Sequence, residues 1–295
     1  MDAGSFQSSV FSFQREAGDC PHFRSTKMGL SPSRGFTLVE LLTVIVIIGM
    51  LVAMITAAAI PARNYVRNAR MKTEITQLAL ALEAFKTEFG DYPPDGKDPA
   101  GTTMFLARAF PRYSGGLPTG ITLDPSNALT FWLGGMYVTT GTTSAGFRGF
   151  SANPLSPFDT TQPSRKGPFF NFDVTRTPYI TTSGTNSGWY LPQNDNASSA
   201  PFVYFKAMNT SGTPYSSSTY TLSSVTVRPY AQAVGGMVNP DTFQILCPGL
   251  DAQYDNTRDG NNPIYPTGSN YKQPGYMLDD ITNFSNGKVS DNMNN

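Results

Sequence analysis

The clearest pattern in the chain is a long run of apolar residues near its beginning. From Leu41 to Ile60 no residue is charged, and Thr43 and Thr56 carry the only hydroxyl groups. At ~1.5 Å of rise per helical residue, this run reaches ~30 Å, the thickness of the hydrocarbon core of a bilayer. The pattern therefore predicts a membrane-spanning helix over residues 36–62, with a single carboxylate, Glu40, close to its start.

A second apolar pattern follows with the spacing of a helix that is buried on one side. Apolar residues recur at intervals of three and four, at Ile75, Leu78, Leu82, Phe85 and Phe89. This stripe predicts an amphipathic stalk helix over residues 63–92 that can pack on a sheet. We expect the helix to end at Gly90 and Pro93-Pro94, and we expect a kink or a short unwound step at Pro61. The stalk begins with a basic collar, interpreted as a solvated face with some headgroup contact: Arg63, Arg67, Arg70 and Lys72.

Beyond the stalk the pattern predicts shorter elements in a loop-rich region. Two helices are expected, one over Thr103–Phe110 and one with Asp124 as its N-cap and Pro125 at its first position. In the second helix, Leu129, Phe131, Trp132 and Leu133 are assigned to the core. The strand candidates are Trp189–Leu191, Phe202–Lys206, Tyr220–Pro229 and Phe243–Cys247. The fold class is therefore α+β, with a long N-terminal helix packed on a small antiparallel β-sheet domain over 93–284 that carries long loop insertions, and a polar, frayed tail over 285–295.

Composition restricts the function classes. Lysine plus arginine equals aspartate plus glutamate at 21 each, so no overall charge points to a nucleic-acid partner. The only histidine, His22, and one of two cysteines, Cys20, precede the apolar run. If these residues are removed with a leader, His-ligated zinc, Ser-His catalysis and an intrachain disulfide are excluded. A carboxylate-pair hydrolase is not excluded, but the pattern favours a protein that is not an enzyme.

A short motif precedes the apolar run. The sequence Arg34-Gly35-Phe36-Thr37-Leu38-Val39-Glu40 resembles the prepilin cleavage and methylation motif of type IV pilins and type II secretion pseudopilins. The resemblance implies a leader over 1–35; the alternative start at Met28 gives a short basic leader. It also implies cleavage between Gly35 and Phe36 by a prepilin peptidase, and methylation of the new amino terminus at Phe36.

The same resemblance gives Glu40 a role in assembly. A carboxylate in a membrane helix costs roughly 2.5–3.5 kcal/mol on insertion scales, which argues for a use. In the family, Glu40 would pair with the Phe36 amine of a neighbouring subunit. The alternative is that Glu40 reaches into the headgroup region from the end of the helix.

The stretch from Leu78 to the Pro93-Pro94 pair is more similar to a major pseudopilin than to a fimbrial pilin. The implied function is a structural subunit of a type II secretion pseudopilus used in protein export. The implied partners are the prepilin peptidase, other pseudopilin subunits in a homo-polymer, an inner-membrane assembly platform and membrane lipid. The implied location is the bacterial inner membrane, with a single pass and the C-terminal domain outside the cytoplasm. Alternatives are a type IV pilus or minor pilin-like subunit, or a membrane-anchored adhesion or binding module.

Acidic residues near the C-terminus suggest a metal loop. Asp251, Asp255 and Asp259 lie in a Gly/Asn-rich stretch, and Asp279-Asp280 follow later. Hard cations prefer several oxygen ligands, and the resemblance to major pseudopilins implies structural calcium here. The candidate ligands are Asp251, Asp279 and Asp280, with solvated acidic turns as the alternative, and no cofactor is required. Cys247 is expected to be a buried thiol.

Overall fold

A computed structural model describes residues 35–140, 143–177, 188–194, 196, 198–208, 214–215, 219–222, 225–254, 261–266 and 278–292. The leader, Met28, His22, Cys20, Asp255 and Asp259 lie outside the described residues. The chain divides into two compact units between Met54 and Ile55, and each is described by itself.

Helix α1 (Leu38–Phe89) begins in the first unit and runs into the second. The helix assignment is continuous through Pro61, so the predicted unwound step does not form. A proline in a helix removes one backbone hydrogen bond, and the turns on either side remain helical. In the second unit α1 buries one face, and all five residues of the predicted stripe lie in it, which confirms the amphipathic pattern.

Two short helices follow α1. Helix α2 (Pro99–Ala109) begins earlier than predicted, because the Asp98 carboxylate accepts a hydrogen bond from the Ala100 amide and acts as the N-cap. Helix α3 (Ala128–Gly134) begins later than predicted. Asp124 is not its N-cap but forms the preceding turn, where its side chain accepts from the Ser126 amide at 2.8 Å. The four predicted core residues of α3 are all buried, as expected.

The strands are short. They are β1 (Tyr137–Thr140), β2 (Thr143–Phe147), β3 (Phe150–Ser151), β4 (Arg165–Lys166), β5 (Val203–Lys206), β6 (Tyr220–Leu222), β7 (Val225–Val227), β8 (Ala231–Gln232), β9 (Phe243–Cys247), β10 (Ile264–Tyr265) and β11 (Ile281–Thr282). The largest sheet is antiparallel with the order β11-β9-β5, and β9 is buried throughout. The pairs β1-β2, β3-β4 and β6-β7 are antiparallel, and β8-β10 is parallel. The α+β class is confirmed, as are the strands predicted at β5 and β9.

Two strand predictions were wrong. Residues 189–191 form no strand, although Tyr190 and Leu191 are buried. The predicted strand Tyr220–Pro229 is instead the hairpin β6-β7, in which Thr221 faces Thr226. An alternating pattern cannot distinguish one long strand from two paired strands, because both place every second residue on the same face.

The sheet β11-β9-β5, called the central sheet from here on, is buried on both faces. Tyr204 and Ile245 belong to a core cluster that also contains the buried face of α1, together with α2 and α3 residues. Val203, Phe205 and Leu246 belong to a second cluster, formed with residues between Ala200 and Val238 and with Tyr254 and Val289. The loop-rich region therefore supplies the cover for the face of the sheet that α1 does not reach.

The end of the chain is also part of the domain. The 3₁₀ helix Val289–Asn292 follows β11, and Ser285 and Val289 are buried. The Val289 amide donates to the Asp280 carbonyl at 2.8 Å. The prediction of a frayed tail from Ser285 was wrong as far as Asn292, because Val289 completes the second core cluster.

A charged group lies inside the buried face of α1. The Glu74 carboxylate forms an ion pair with Arg176, accepts a hydrogen bond from the Tyr190 hydroxyl at 2.7 Å, and is 8% exposed. Burial raises the pKa of Tyr190 and the Glu74 carboxylate raises it further, so the hydroxyl stays a donor. These contacts hold two segments against α1, the one that ends before residue 178 and the one that begins after residue 187.

Cys247 is the one cysteine among the described residues, and it is fully buried. Its thiol lies 3.7 Å from the Met71 sulfur on α1. Burial raises the pKa of this thiol well above its ordinary value, so it stays protonated. The expected small apolar role is the one the structure shows.

Candidate functional site

The predicted cleavage point lies immediately before α1. Phe36 is 86% exposed, and Gly35 is also exposed. A Cβ atom placed on Gly35 would meet nothing within 4 Å. The backbone on both sides of the Gly35–Phe36 bond is therefore open to a protease.

The first turn of α1 is closed by a capping box formed by Thr37 and Glu40. The Thr37 amide and hydroxyl each donate to Glu40 Oε2 at 2.8 Å, and the Glu40 amide donates to Thr37 Oγ1 at 3.2 Å. This reciprocal arrangement satisfies amides that a helix N-terminus otherwise leaves without partners. The carboxylate also lies at the end of the helix where the macrodipole favours negative charge.

The capping box changes the interpretation of Glu40. The sequence suggested a carboxylate without a partner in its own chain, whereas the structure gives one of its oxygens two donors from Thr37. These bonds offset part of the cost of placing a carboxylate near the membrane. Sequence reasoning missed Thr37 as a functional residue, although the spacing Thr-x-x-Glu before an apolar run is the signal for a capping box.

The apolar part of α1 is uncovered in the single chain. None of residues 35–66 is buried, and side chains such as Leu38, Met54 and Ile55 are more than 60% exposed. An apolar surface of this extent is not stable in water and needs lipid or other apolar chains around it. By length and composition α1 can cross a membrane, and none of its most apolar segment is buried.

The predicted metal ligands are close to one another but are used by the fold. Asp279 Oδ2 accepts hydrogen bonds from the Leu250 amide at 2.8 Å and the Asp251 amide at 3.1 Å. Asp251 Oδ1 accepts from the Gln253 amide, and Asp280 Oδ2 accepts from the Tyr230 hydroxyl at 3.3 Å. The carboxylates thus hold turns and neighbouring strands of the fold.

Gly249 allows the two segments of this region to approach. Its φ is +66°, and a Cβ there would lie 2.3 Å from the Asp279 carbonyl oxygen. Burial raises the pKa of Asp279, although the amides of Asp251 and Leu250 act in the opposite direction. Within the described ranges no three acidic, His or Cys side chains are grouped to hold a metal ion. Calcium therefore stays a prediction.

The comparisons with known proteins agree with the motif. A family described as "Prokaryotic N-terminal methylation motif" matches residues 30–56, which contain the cleavage point, the capping box and most of the apolar run. Comparisons with curated proteins and with solved structures found no match. The methylation motif and the long apolar helix that follows it mark the chain as a type IV pilin-like protein.

Proposed function

We propose that this protein is a pseudopilin, a structural subunit of a type II secretion pseudopilus used in protein export. It enters the inner membrane as a precursor with a single pass and with its C-terminal domain outside the cytoplasm. Prepilin peptidase removes residues 1–35 and methylates the amine of Phe36. An inner-membrane platform then assembles the mature subunits into a homo-polymer.

The observation that carries the proposal is the exposed apolar surface of α1 up to Ile60. A core helix buries one face within its own domain, as the later part of α1 does. In the earlier part, none of residues 35–66 is buried. Lipid can cover it before assembly, and the same part of α1 from neighbouring subunits can cover it afterwards, since both environments are apolar.

Cleavage supports assembly by creating a charge in the right place. Hydrolysis of the bond after Gly35 leaves an ammonium group on Phe36, one residue before Thr37 and four before Glu40. An ammonium and a carboxylate at similar membrane depth attract strongly, because little water screens them there. Glu40 Oε2 already carries two hydrogen bonds from Thr37, which fix the direction in which the carboxylate meets a neighbouring amine.

The proposed role is mechanical and requires no catalytic group. The chemistry belongs to the peptidase that acts on the chain and to the pairing of Glu40 with an amine. The large loop-rich region has a structural task within this scheme, since it covers the second face of the central sheet.

Mass spectrometry of the mature protein tests the proposal directly. In cells with active prepilin peptidase, we expect a chain that begins at Phe36 and carries one methyl group on its amine. A matched Gly35→Leu variant should keep its leader, because the bulky side chain blocks the approach of the protease. A wild-type chain with an intact leader in such cells would contradict the proposal.

Assembly is tested separately with Glu40→Ala. We expect this variant to insert into the membrane but to form few or no filaments, whereas Glu88→Ala on the domain should assemble normally. Normal assembly of Glu40→Ala, or no filaments from the wild type, would favour a membrane-anchored binding module instead.

A further inference from the structure

A cavity of about 360 Å³ lies where the chain leaves α1 and enters α2. Its walls combine carboxylates with apolar side chains, including Tyr92, Met104 and Phe105. Among the residues that the structure describes, four carboxylates and two cations line it, and together they carry a net charge of −2 at pH 7. A cavity of this size accepts a small ligand or a long side chain.

Both cations of the cavity are engaged by one carboxylate. Asp91 accepts from Arg108 at 2.5 Å and from Lys206 at 2.9 Å, so it braces the end of α1 against α2 and β5. The excess negative charge therefore belongs to the other carboxylates, of which Asp98 is half-buried and Asp241 is exposed. Within the described residues this set does not form a metal site. A cation with an apolar stem fits such walls best.

The same chain carries a cation-rich surface on α1. Arg63, Arg67 and Arg70 are spaced by four and three residues, which places them on one side of the helix. Arg63 and Arg70 are exposed, and no acidic residue occurs between Leu41 and Thr73. The acidic residue that follows this basic ridge, Glu74, is buried in its ion pair with Arg176.

The ridge cannot reach the cavity of its own chain. From Arg70 to the end of α1 at Phe89, the helix rises about 28 Å, several times the length of an arginine side chain. A ridge arginine that enters the cavity must therefore come from another copy, displaced along the helix axis. A contact between two different surfaces of identical chains is heterologous, and heterologous contacts that do not close produce open filaments.

We propose that the cavity bounded by Asp98, Phe105 and Asp241 binds an arginine of the basic ridge of a second copy of this chain. This contact rests on the proposed function, since it is a lateral contact within the polymer. It would fix the axial offset between neighbouring domains, as the pairing of Glu40 would do for the apolar helices. Arginine suits the cavity because its planar guanidinium binds carboxylates and stacks on aromatic rings.

Cross-linking in cells tests the contact. Two full-length variants are co-expressed in a Cys20→Ser background, one with Arg70→Cys and the other with Asp241→Cys. The buried Cys247 thiol leaves a low background of other disulfides. We expect mild oxidation to join the two different variants, whereas each variant alone, and Asp241→Cys with Arg112→Cys, should give little product. Arg112 is exposed and serves as the matched control position.

Charge reversal then tests the electrostatic basis. Arg70→Asp or Asp241→Arg alone should reduce filament yield about fivefold, which is the upper end of what an exposed ion pair contributes. Combining both changes in one chain should restore the yield. Arg112→Asp should have no effect.

The outcomes separate this contact from the proposed function. Filaments that form normally without the mixed cross-link overturn the contact and leave the pseudopilin proposal standing. The cross-link without filaments supports the contact and overturns the polymer, and the absence of both overturns both. If Arg70→Asp weakens binding to anionic vesicles and Asp241→Arg does not rescue it, the ridge binds lipid headgroups and the contact is wrong.

Discussion

The two parts of helix α1 are both rich in apolar side chains, but they obtain their cover from different sources. From Met71 onward, most apolar residues form one stripe that is buried against α2, α3 and the central sheet, and Leu80 is the exposed exception. Before Ile60 the apolar residues surround the helix, and every one of them is exposed in the single chain. A stripe suits a helix that packs on its own domain, whereas apolar residues on all sides suit a helix surrounded by lipid or by other chains. Within one helix, the later part therefore packs on its own domain, whereas the earlier part needs cover from lipid or from other chains.

One of the two largest effects should come from truncating a buried side chain in the later part of α1. Leu82 is fully buried, and Leu82→Ala should lower the free energy of unfolding of the domain by about 2–5 kcal/mol, through lost burial and the cavity it leaves. The matched change Leu51→Ala, at a side chain 54% exposed, should leave it unchanged. Chemical denaturation of the full chain in detergent measures both. Equal losses for the two variants would contradict the division of α1.

Breaking the buried ion pair should have an effect of similar size. Arg176→Leu leaves the Glu74 carboxylate buried without its cation, and we expect a loss of about 3–5 kcal/mol in the same assay. The double variant Glu74→Leu/Arg176→Leu should recover much of that loss, because no charge then remains buried. A double variant as unstable as the single one would show that the pair contributes through packing rather than charge.

A smaller effect is expected at the beginning of the earlier part. Thr37→Val removes the hydroxyl that bonds to Glu40 and should weaken the first turn of α1 by about 0.5–2 kcal/mol. Because Glu40 then loses part of its orientation, filament yield should fall, while the stability of the domain should not change. Thr37→Ser keeps the hydroxyl and is the control. Full yield from Thr37→Val would show that the capping box does not position Glu40.

An effect of comparable size is expected at Asp279, the candidate calcium ligand. Asp279→Ala removes the acceptor for two backbone amides and should lower domain stability by about 1–3 kcal/mol with or without calcium. Asp279→Asn keeps an acceptor oxygen and should be close to wild type in a chelator. If calcium binds, it should raise the unfolding temperature of the wild type more than that of Asp279→Asn. Equal responses of these two proteins would argue against Asp279 as a ligand.

The sequence predicted those elements whose burial is decided by local pattern. The apolar run, the stripe from Ile75 to Phe89 and the strand Phe243–Cys247 are all of this kind. They were predictable because a regular helical spacing or an uninterrupted apolar run is enough by itself to assign the type of element and its buried residues.

Elements decided by distant partners were not predictable. Glu74 adjoins the stripe and looks like a solvated residue, because its partner Arg176 lies 102 positions away. Tyr190 looked like part of a strand, but its hydroxyl is held by the same ion pair. Val289 is buried because it packs in the second core cluster, whose residues come mostly from the loop-rich region.

The candidate site was predictable to a different degree. Gly35, Phe36 and Glu40 were identified from the motif, whereas Thr37 was missed because Glu40 had been interpreted only through partners outside its own chain. The cavity between α1 and α2 was not predicted at all. Asp91 and Asp241 are far apart in sequence and meet only because β5 and β9 pair side by side.

The position of Cys247 has a consequence for the location outside the cytoplasm that we propose. An accessible thiol in an oxidising compartment forms disulfides with other chains, and subunits crowded at a membrane would be joined at random. Here the thiol lies against Met71 and reacts only when β9 separates from α1. In a Cys20→Ser background, the rate at which a thiol reagent labels Cys247 therefore measures the opening of the domain.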